Sequence, residues 1–170
     1  MSLTKKAEKV ANYLMFVPFG RAYLLTGSVA NETANSTSDI DINIIARDNF
    51  VWLHFALAFI FLSLLGVRRT KNKRTGRVCV NSLVGESEYV ETKKIFEGKF
   101  LYGGKSRLFL LEQALVYSGV AHFLELIAKK SISAYINNSF KKYRENPDTV
   151  LVLTPNKIKY FPPRAVRSRG

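Results

Sequence analysis

Two hydrophobic periods alternate along this chain. Ala7, Val10, Ala11, Leu14 and Met15 recur at the spacing of one helix face, which predicts a helix over 4–17 that Ser2 or Thr4 can cap and that Pro18 and Gly20 end. Arg21–Thr26 reads as a strand and Gly27 to Ala34 as a turn with a short helix. The Asn- and Ser-rich stretch 31–38 reads as a loop, and Ser38–Ala46 as a second strand. From Phe50 to Leu65 only His54 and Ser63 are polar. A membrane span needs about twenty apolar residues. This run stops short of that at Gly66, before a basic segment, so the expectation is a helix buried against the second strand. Val67–Gly76 reads as a basic loop, Arg77–Val84 as a third strand and Glu88–Glu91 as a further short strand or edge, while Ile95–Tyr102 has no decisive period. A long helix is expected from Ser106, with Leu108, Leu111, Leu115, Val120, Phe123 and Ile127 on one stripe. It should break at Lys129–Ser131 and resume over Ile132–Tyr143, stopping at Asn146–Pro147. Thr149–Leu153 and Ile158–Phe161 read as late strands.

The second strand carries the candidate chemistry. Asp39 and Asp41 lie two apart within a run of isoleucines. Residues two apart in a strand share a face, so both carboxylates project together while Ile40, Ile42 and Ile44 point the other way. Paired carboxylates repel unless a cation lies between them, and hard ions such as Mg²⁺ bind through one or two carboxylates plus substrate phosphate oxygens. Upstream, Gly27-Ser28 follows the apolar run Ala22–Leu25. A Gly-Ser at a strand end can open a helix whose free N–H groups face an anion. A phosphate grip and a metal pair are the two parts that phosphoryl or nucleotidyl transfer needs.

With Gly27-Ser28, a ten-residue spacer and then Asp39-Ile40-Asp41, the chain resembles the nucleotidyltransferases of the DNA polymerase beta superfamily, most of all the small minimal nucleotidyltransferases of prokaryotes. A looser likeness runs through the Trp52 helix, Arg68-Arg69, Cys79-Val80-Asn81 and Phe161-Pro162-Pro163. The resemblance implies that Gly27 and Ser28 bind a nucleoside triphosphate and that Asp39 and Asp41 hold Mg²⁺, with room for two ions. It also implies an α+β fold, a small mixed sheet of nucleotidyltransferase type flanked by helices with a C-terminal helical extension. The expected division is a core over 1–104 and an extension with a basic tail over 105–170. The chain departs from the pattern at the third carboxylate that active members carry on a later strand. Asn81 is the residue expected there, and an amide can offer its carbonyl to a metal but cannot take a proton. Three readings follow: a two-carboxylate enzyme, an enzyme that uses a displaced Glu86 or Glu88, and a domain that only binds.

Composition narrows the field. One cysteine, Cys79, rules out an internal disulfide framework and, with only His54 and His122 to accompany it, argues against a zinc site of the usual Cys/His kind. Its apolar strand suggests a buried, inert thiol. The mixed-charge N-terminus is unlike an apolar signal core, so a cytoplasmic location is expected. The net charge of +13 is concentrated. Residues 68–77 hold six Lys/Arg and no acid, and residues 141–170 hold eight against Glu145 and Asp148. Such placement suits a polyanion.

Two classes of function follow. In the first, an enzyme transfers a nucleoside monophosphate from its triphosphate to an acceptor hydroxyl, with RNA as a candidate acceptor. Arg68, Arg69, Lys71, Lys73 and Arg74 then hold phosphates, and a membrane is a less favoured partner. In the second, catalysis is lost at Asn81 and the basic segments dock onto RNA or a partner protein. Tyr160 and Phe161 could then stack on bases, although a core role suits them better.

Overall fold

The computed structural model describes residues 2–70, 72–92, 98–141 and 150–161. Lys71, Asn146–Pro147, Pro162–Pro163 and most of the basic segment over 141–170 lie outside the described residues.

Helix α1 spans Leu3–Leu14 and buries Ala7, Val10, Ala11 and Leu14, the face its spacing predicts. Of the two capping candidates Ser2 serves, its Oγ accepting the Lys5 N–H at 3.3 Å. The chain continues into β1 (Gly20–Thr26), a single helical turn α2 (Gly27–Ala30) and β2 (Ile40–Ala46). Helix α3 (Val51–Leu64) then crosses to β3 (Val78–Gly85), which runs parallel to β2. After it come α4 (Glu86–Thr92), β4 (Lys99–Gly103), α5 (Phe109–Tyr117), α6 (Val120–Phe140), β5 (Val150–Thr154) and β6 (Lys157–Phe161). The described strands form one mixed sheet in the order β4-β1-β2-β3-β6-β5, antiparallel at every pair except β2–β3. This is an α+β fold, with helices α5 and α6 inserted before a C-terminal hairpin that joins the same sheet.

Strand alternation gives the sheet two unequal faces. Ile40, Ile42 and Ile44 of β2, with Tyr23, Leu25 and Leu83, point into the main core against α1, α3 and part of α6. On the opposite face Ala22, Leu24, Ile45 and Val84 form a small cluster under Tyr89 of α4. The first half of α3 is buried as expected, from Val51 to Phe55, whereas Ile60 and Leu64 near its end are exposed. Its N-terminus lacks a side-chain cap of its own. The Glu125 carboxylate reaches across from α6 and accepts the N–H groups of Trp52 at 3.1 Å and Leu53 at 2.5 Å. Among the described residues no single helix is long and apolar enough to cross a membrane.

Three expectations are corrected. Glu88–Glu91 belongs to helix α4, not to a strand. Asp48, from the loop after β2, accepts the Ser87 N–H at 3.2 Å and the Ser87 hydroxyl at 3.0 Å, which satisfies a first-turn donor and stabilises the helix start. The long helix from Ser106 breaks at Gly119, which adopts φ 75°, and the two segments meet at 91°. Lys129–Ser131 continue α6, since neither Lys nor Ser obstructs a helix. Much of the apolar stripe of that region also points outward, although Leu115 packs against the cluster of Phe19, Phe50, Leu53 and Ala121. Leu111, Val120, Phe123 and Ile127 are exposed, while Glu112, Ala121, Glu125 and Ala128 are buried. Periodicity located a face but not its direction, because two inward carboxylates have fixed partners in the core.

Glu112 of α5 is fully buried. It pairs with both Arg21 guanidinium nitrogens at 2.5 and 3.2 Å, with Arg47 at 3.2 Å, and accepts the Phe19 N–H at 3.0 Å. Burial pushes this carboxyl up, but the Arg21, Phe19 and Arg47 hydrogen bonds outweigh burial and hold it below the ordinary value. The same four contacts tie α5 to β1 and to the residues that precede β1 and follow β2.

Candidate functional site

The site begins with a loop that sequence composition suggested but could not shape. Asn35 Oδ1 accepts the Thr37 N–H at 3.0 Å and the hydroxyls of Thr37 and Ser38 at 2.8 and 3.1 Å. This side-chain turn folds the Asn/Ser-rich segment onto itself. It delivers Asp39 at the mouth of β2, where the Ile40 N–H joins the Arg77 carbonyl at 2.8 Å.

Antiparallel pairing sets Thr26 opposite Asp41, so the turn that follows Thr26 is brought against the second carboxylate. Gly27 has φ 70°, and a Cβ placed on it would lie 2.5 Å from Asp41 Oδ2. Both observations require glycine there: the left-handed backbone disfavours any side chain, and the carboxylate fills the space that one would occupy. Ser28 follows as the second residue of α2, its carbonyl accepting the Thr33 N–H at 2.9 Å. With a single turn, α2 contributes little dipole, and the close approach of backbone to carboxylate is the main feature of this corner.

On the other side of Asp41 the parallel ladder pairs it with Cys79. Asn81 does not occupy that register. Ile42 faces Val80 and Asn43 faces Ser82, so Asn81 is the extra residue of a bulge in β3. It remains beside the site, because the Cys79 thiol donates to Asn81 Oδ1 at 3.5 Å. Ligating atoms of Asp39, Asp41 and Cys79 all lie within 4.8 Å of one another, a group able to hold a metal ion. Burial, and then the charge of Asp41, push the Cys79 thiol up to about 11. One step further along the same face, Asn43 Oδ1 and Ser82 Oγ are buried and have no hydrogen-bond partner among the described residues.

The basic loop divides between two places. The Arg69 backbone N–H joins the Val78 carbonyl at 2.8 Å, and its guanidinium forms an ion pair with Asp39 inside the site. Arg68 points away, stacked 3.9 Å from the centre of the Phe59 ring with Nε donating to Ser63 Oγ at 2.8 Å. Arg68, Lys73 and Arg77 line one shallow depression together with Ser63, Gly66 and Thr70. Arg74 is half-buried and outside that lining, its carbonyl accepting the Arg77 N–H at 2.9 Å. Cys79 and the Arg69–Asp39 pair are the site features that sequence reasoning missed. Cys79 stands two residues before Asn81, so strand alternation is the signal that could have set both on one face, but no sequence signal shows a bulge.

No family model matches the chain, and no curated protein matches it. The chain is similar to a solved structure described as "Crystal structure of the toxin-antitoxin with AMP-PNP", with 20% identity over 79% of this chain and 93% of that one and a TM-score of 0.35. A likeness at that level establishes neither a shared site nor a shared activity.

Proposed function

We propose that this protein is a metal-dependent nucleotidyltransferase, moving a nucleoside monophosphate from its triphosphate to an acceptor hydroxyl. The observation that carries the reading is the contact between Gly27 and the Asp41 carboxylate. It joins the two halves of the Gly-Ser and Asp-x-Asp pattern at one point in space. The donor set also suits a divalent ion: two carboxylates on one strand face, a third ligating atom on the next strand, and buried oxygens without partners among the described residues. Asp39 and Asp41 would hold the ion, Mg²⁺ in the family pattern, and a bound ion would supply charge neutralisation for in-line displacement at phosphorus.

Gly27 lets backbone approach the triphosphate, and Ser28 offers its hydroxyl and N–H. In the transfer the acceptor oxygen bonds to the α-phosphorus while the bond from that phosphorus to the α–β bridging oxygen breaks. Pyrophosphate leaves with the electron pair, and the hydroxyl proton passes to solvent. Arg68, Lys73 and Arg77, which share one depression, favour a polyanionic acceptor such as RNA. The test is incubation with each labelled nucleoside triphosphate, Mg²⁺ or Mn²⁺, and total RNA or protein. Labelled product is expected from the native chain and none from the Asp39→Asn/Asp41→Asn double variant. Metal-dependent nucleotide binding that survives in the double variant would sink the reading.

A second reading, a module that only binds, draws on the ion pair between Arg69 and Asp39, which places a cation of the chain itself against one of the two carboxylates. A native chain that binds RNA but neither nucleotide nor metal would favour it.

A further inference from the structure

We propose that the metal site is a mixed oxygen–sulfur site in which Cys79 Sγ is a ligand, so that it selects a borderline transition-metal dication of the Mn²⁺–Zn²⁺ series over Mg²⁺. The inference rests on the metal-dependent reading above and deepens it by naming the ion. Parallel register, not sequence, puts Cys79 directly opposite Asp41, and its sulfur and the two carboxylates lie within 4.8 Å of one another. A second, independent observation points to a ligand at the same face. Ser82 is 3% exposed and its Oγ has no partner among the described residues, and Oδ1 of the half-buried Asn43, across the ladder, is likewise without one. Asn43 lies two residues beyond Asp41, so both oxygens continue the row of donors from which the carboxylates project. A buried oxygen left without a donor costs about 1–3 kcal/mol, a cost that a coordinated ion or its bound water removes.

The ligand chemistry then decides among ions. Carboxylate and carbonyl oxygens suit Mg²⁺ and Mn²⁺, whereas thiolate favours softer ions, and affinities rise along the first transition row from Mn²⁺. On binding, the Cys79 S–H bond breaks, its proton passes to buffer, and the sulfur forms the bond to the metal. Asn81 already accepts from this thiol. Rotation of its amide would let the NH₂ group donate to the thiolate, giving the bulged residue an orienting role outside the ligand set.

Because the sequence has one cysteine, any thiolate signal reports Cys79 alone. The experiment titrates the full chain with Co²⁺ and follows the near-ultraviolet sulfur-to-cobalt charge-transfer absorption, then competes with Zn²⁺, Mn²⁺ and Mg²⁺. The expected result is a band that Zn²⁺ abolishes and that Mg²⁺ displaces only at far higher concentration. Loss of outer-sphere partners costs about 10–100-fold in metal affinity, so loss of a ligand in Cys79→Ser should remove the band and weaken Co²⁺ binding at least about tenfold. Cys79→Asp should also remove the band but bring Mg²⁺ into competition, which keeps the test decisive if the serine variant folds poorly. Co²⁺ binding without the band, equal competition by Mg²⁺ and unchanged affinity in Cys79→Ser would overturn this inference while leaving a metal-dependent enzyme intact. No binding of any of these ions to the native chain would overturn both.

Discussion

At the scale of single residues, the site depends on two local constraints. Gly27 combines φ 70° with a carboxylate where its Cβ would be, whereas Gly66 has φ 63° and nothing within 4 Å of such an atom. Gly66→Ala should therefore cost backbone strain alone, about 1–3 kcal/mol in urea unfolding. Gly27→Ala should cost at least as much and also weaken metal binding, because Asp41 must move. Equal stability loss with unchanged metal affinity in the two variants would contradict the contact. Arg69 is the second constraint. Its guanidinium competes for Asp39 with any incoming ion. Arg69→Gln should raise Mn²⁺ affinity, measured by calorimetry, by about tenfold if the pair is worth about 1.4 kcal/mol. A fall in affinity would show instead that Arg69 orients Asp39 for the metal.

At the scale of elements, buried charge determines how helices attach to the sheet. Glu112 fastens α5 to Arg21 and Arg47. Glu112→Gln removes the buried counter-ion that Arg21 and Arg47 share and leaves Arg21 only the more exposed Glu86 carboxylate at 3.6 Å; breaking a buried pair in this way costs about 3–5 kcal/mol. A loss below about 1 kcal/mol in chemical denaturation would contradict that role. His54 of α3 is fully buried, with Nδ1 2.7 Å from the Pro18 carbonyl, near Tyr23 and facing the charges of Arg21 and Glu112. Burial lowers its pKa from 6.5 to about 4. Between those values the unfolded chain binds a proton that the folded chain refuses. Stability is then full above about pH 6.5 and falls as the pH drops towards 4, by up to about 1.4 kcal/mol per pH unit. Glu125, raised by burial, acts with the opposite sign above the ordinary carboxylate value, and Glu112, held low, loses its contribution only in stronger acid. Thermal melts of the native chain and His54→Gln across this range separate the terms. The variant should lose most of the decline, and an equally steep fall would assign it elsewhere.

At the scale of the whole molecule, charge separates from fold. The sheet places the carboxylate site at the mouth of β2 and β3, while Arg68, Lys73 and Arg77 line a depression by the end of α3. If that depression binds RNA, replacing the three residues by Gln should flatten the dependence of log affinity on log salt by about 0.7–0.9 for each phosphate that is no longer neutralised. Free-nucleotide affinity should change less, since other residues are proposed to hold the triphosphate. An unchanged salt slope in filter binding would remove the RNA acceptor from consideration and favour a small molecule or protein.

Local pattern was enough for some of this protein and insufficient for the rest. The helix α1, the isoleucine alternation of β2 and the shared face of Asp39 and Asp41 are all short-range properties. They follow from the 3.6- and 2-residue periods and need no knowledge of the partner element. The same periods failed at the outward stripe of α5 and α6, because a period defines a face but not what covers it, and Glu112 and Glu125 have partners far away in sequence. They failed again at the position opposite Asp41 on the next strand. Which residue stands opposite Asp41 depends on strand register, and a bulge at Asn81 shifts that register without leaving a mark in the residue pattern. Tertiary structure alone brought Cys79 to Asp41, sent Arg69 to Asp39 and turned Arg68 the other way, since each outcome depends on contacts between segments that the chain order keeps apart.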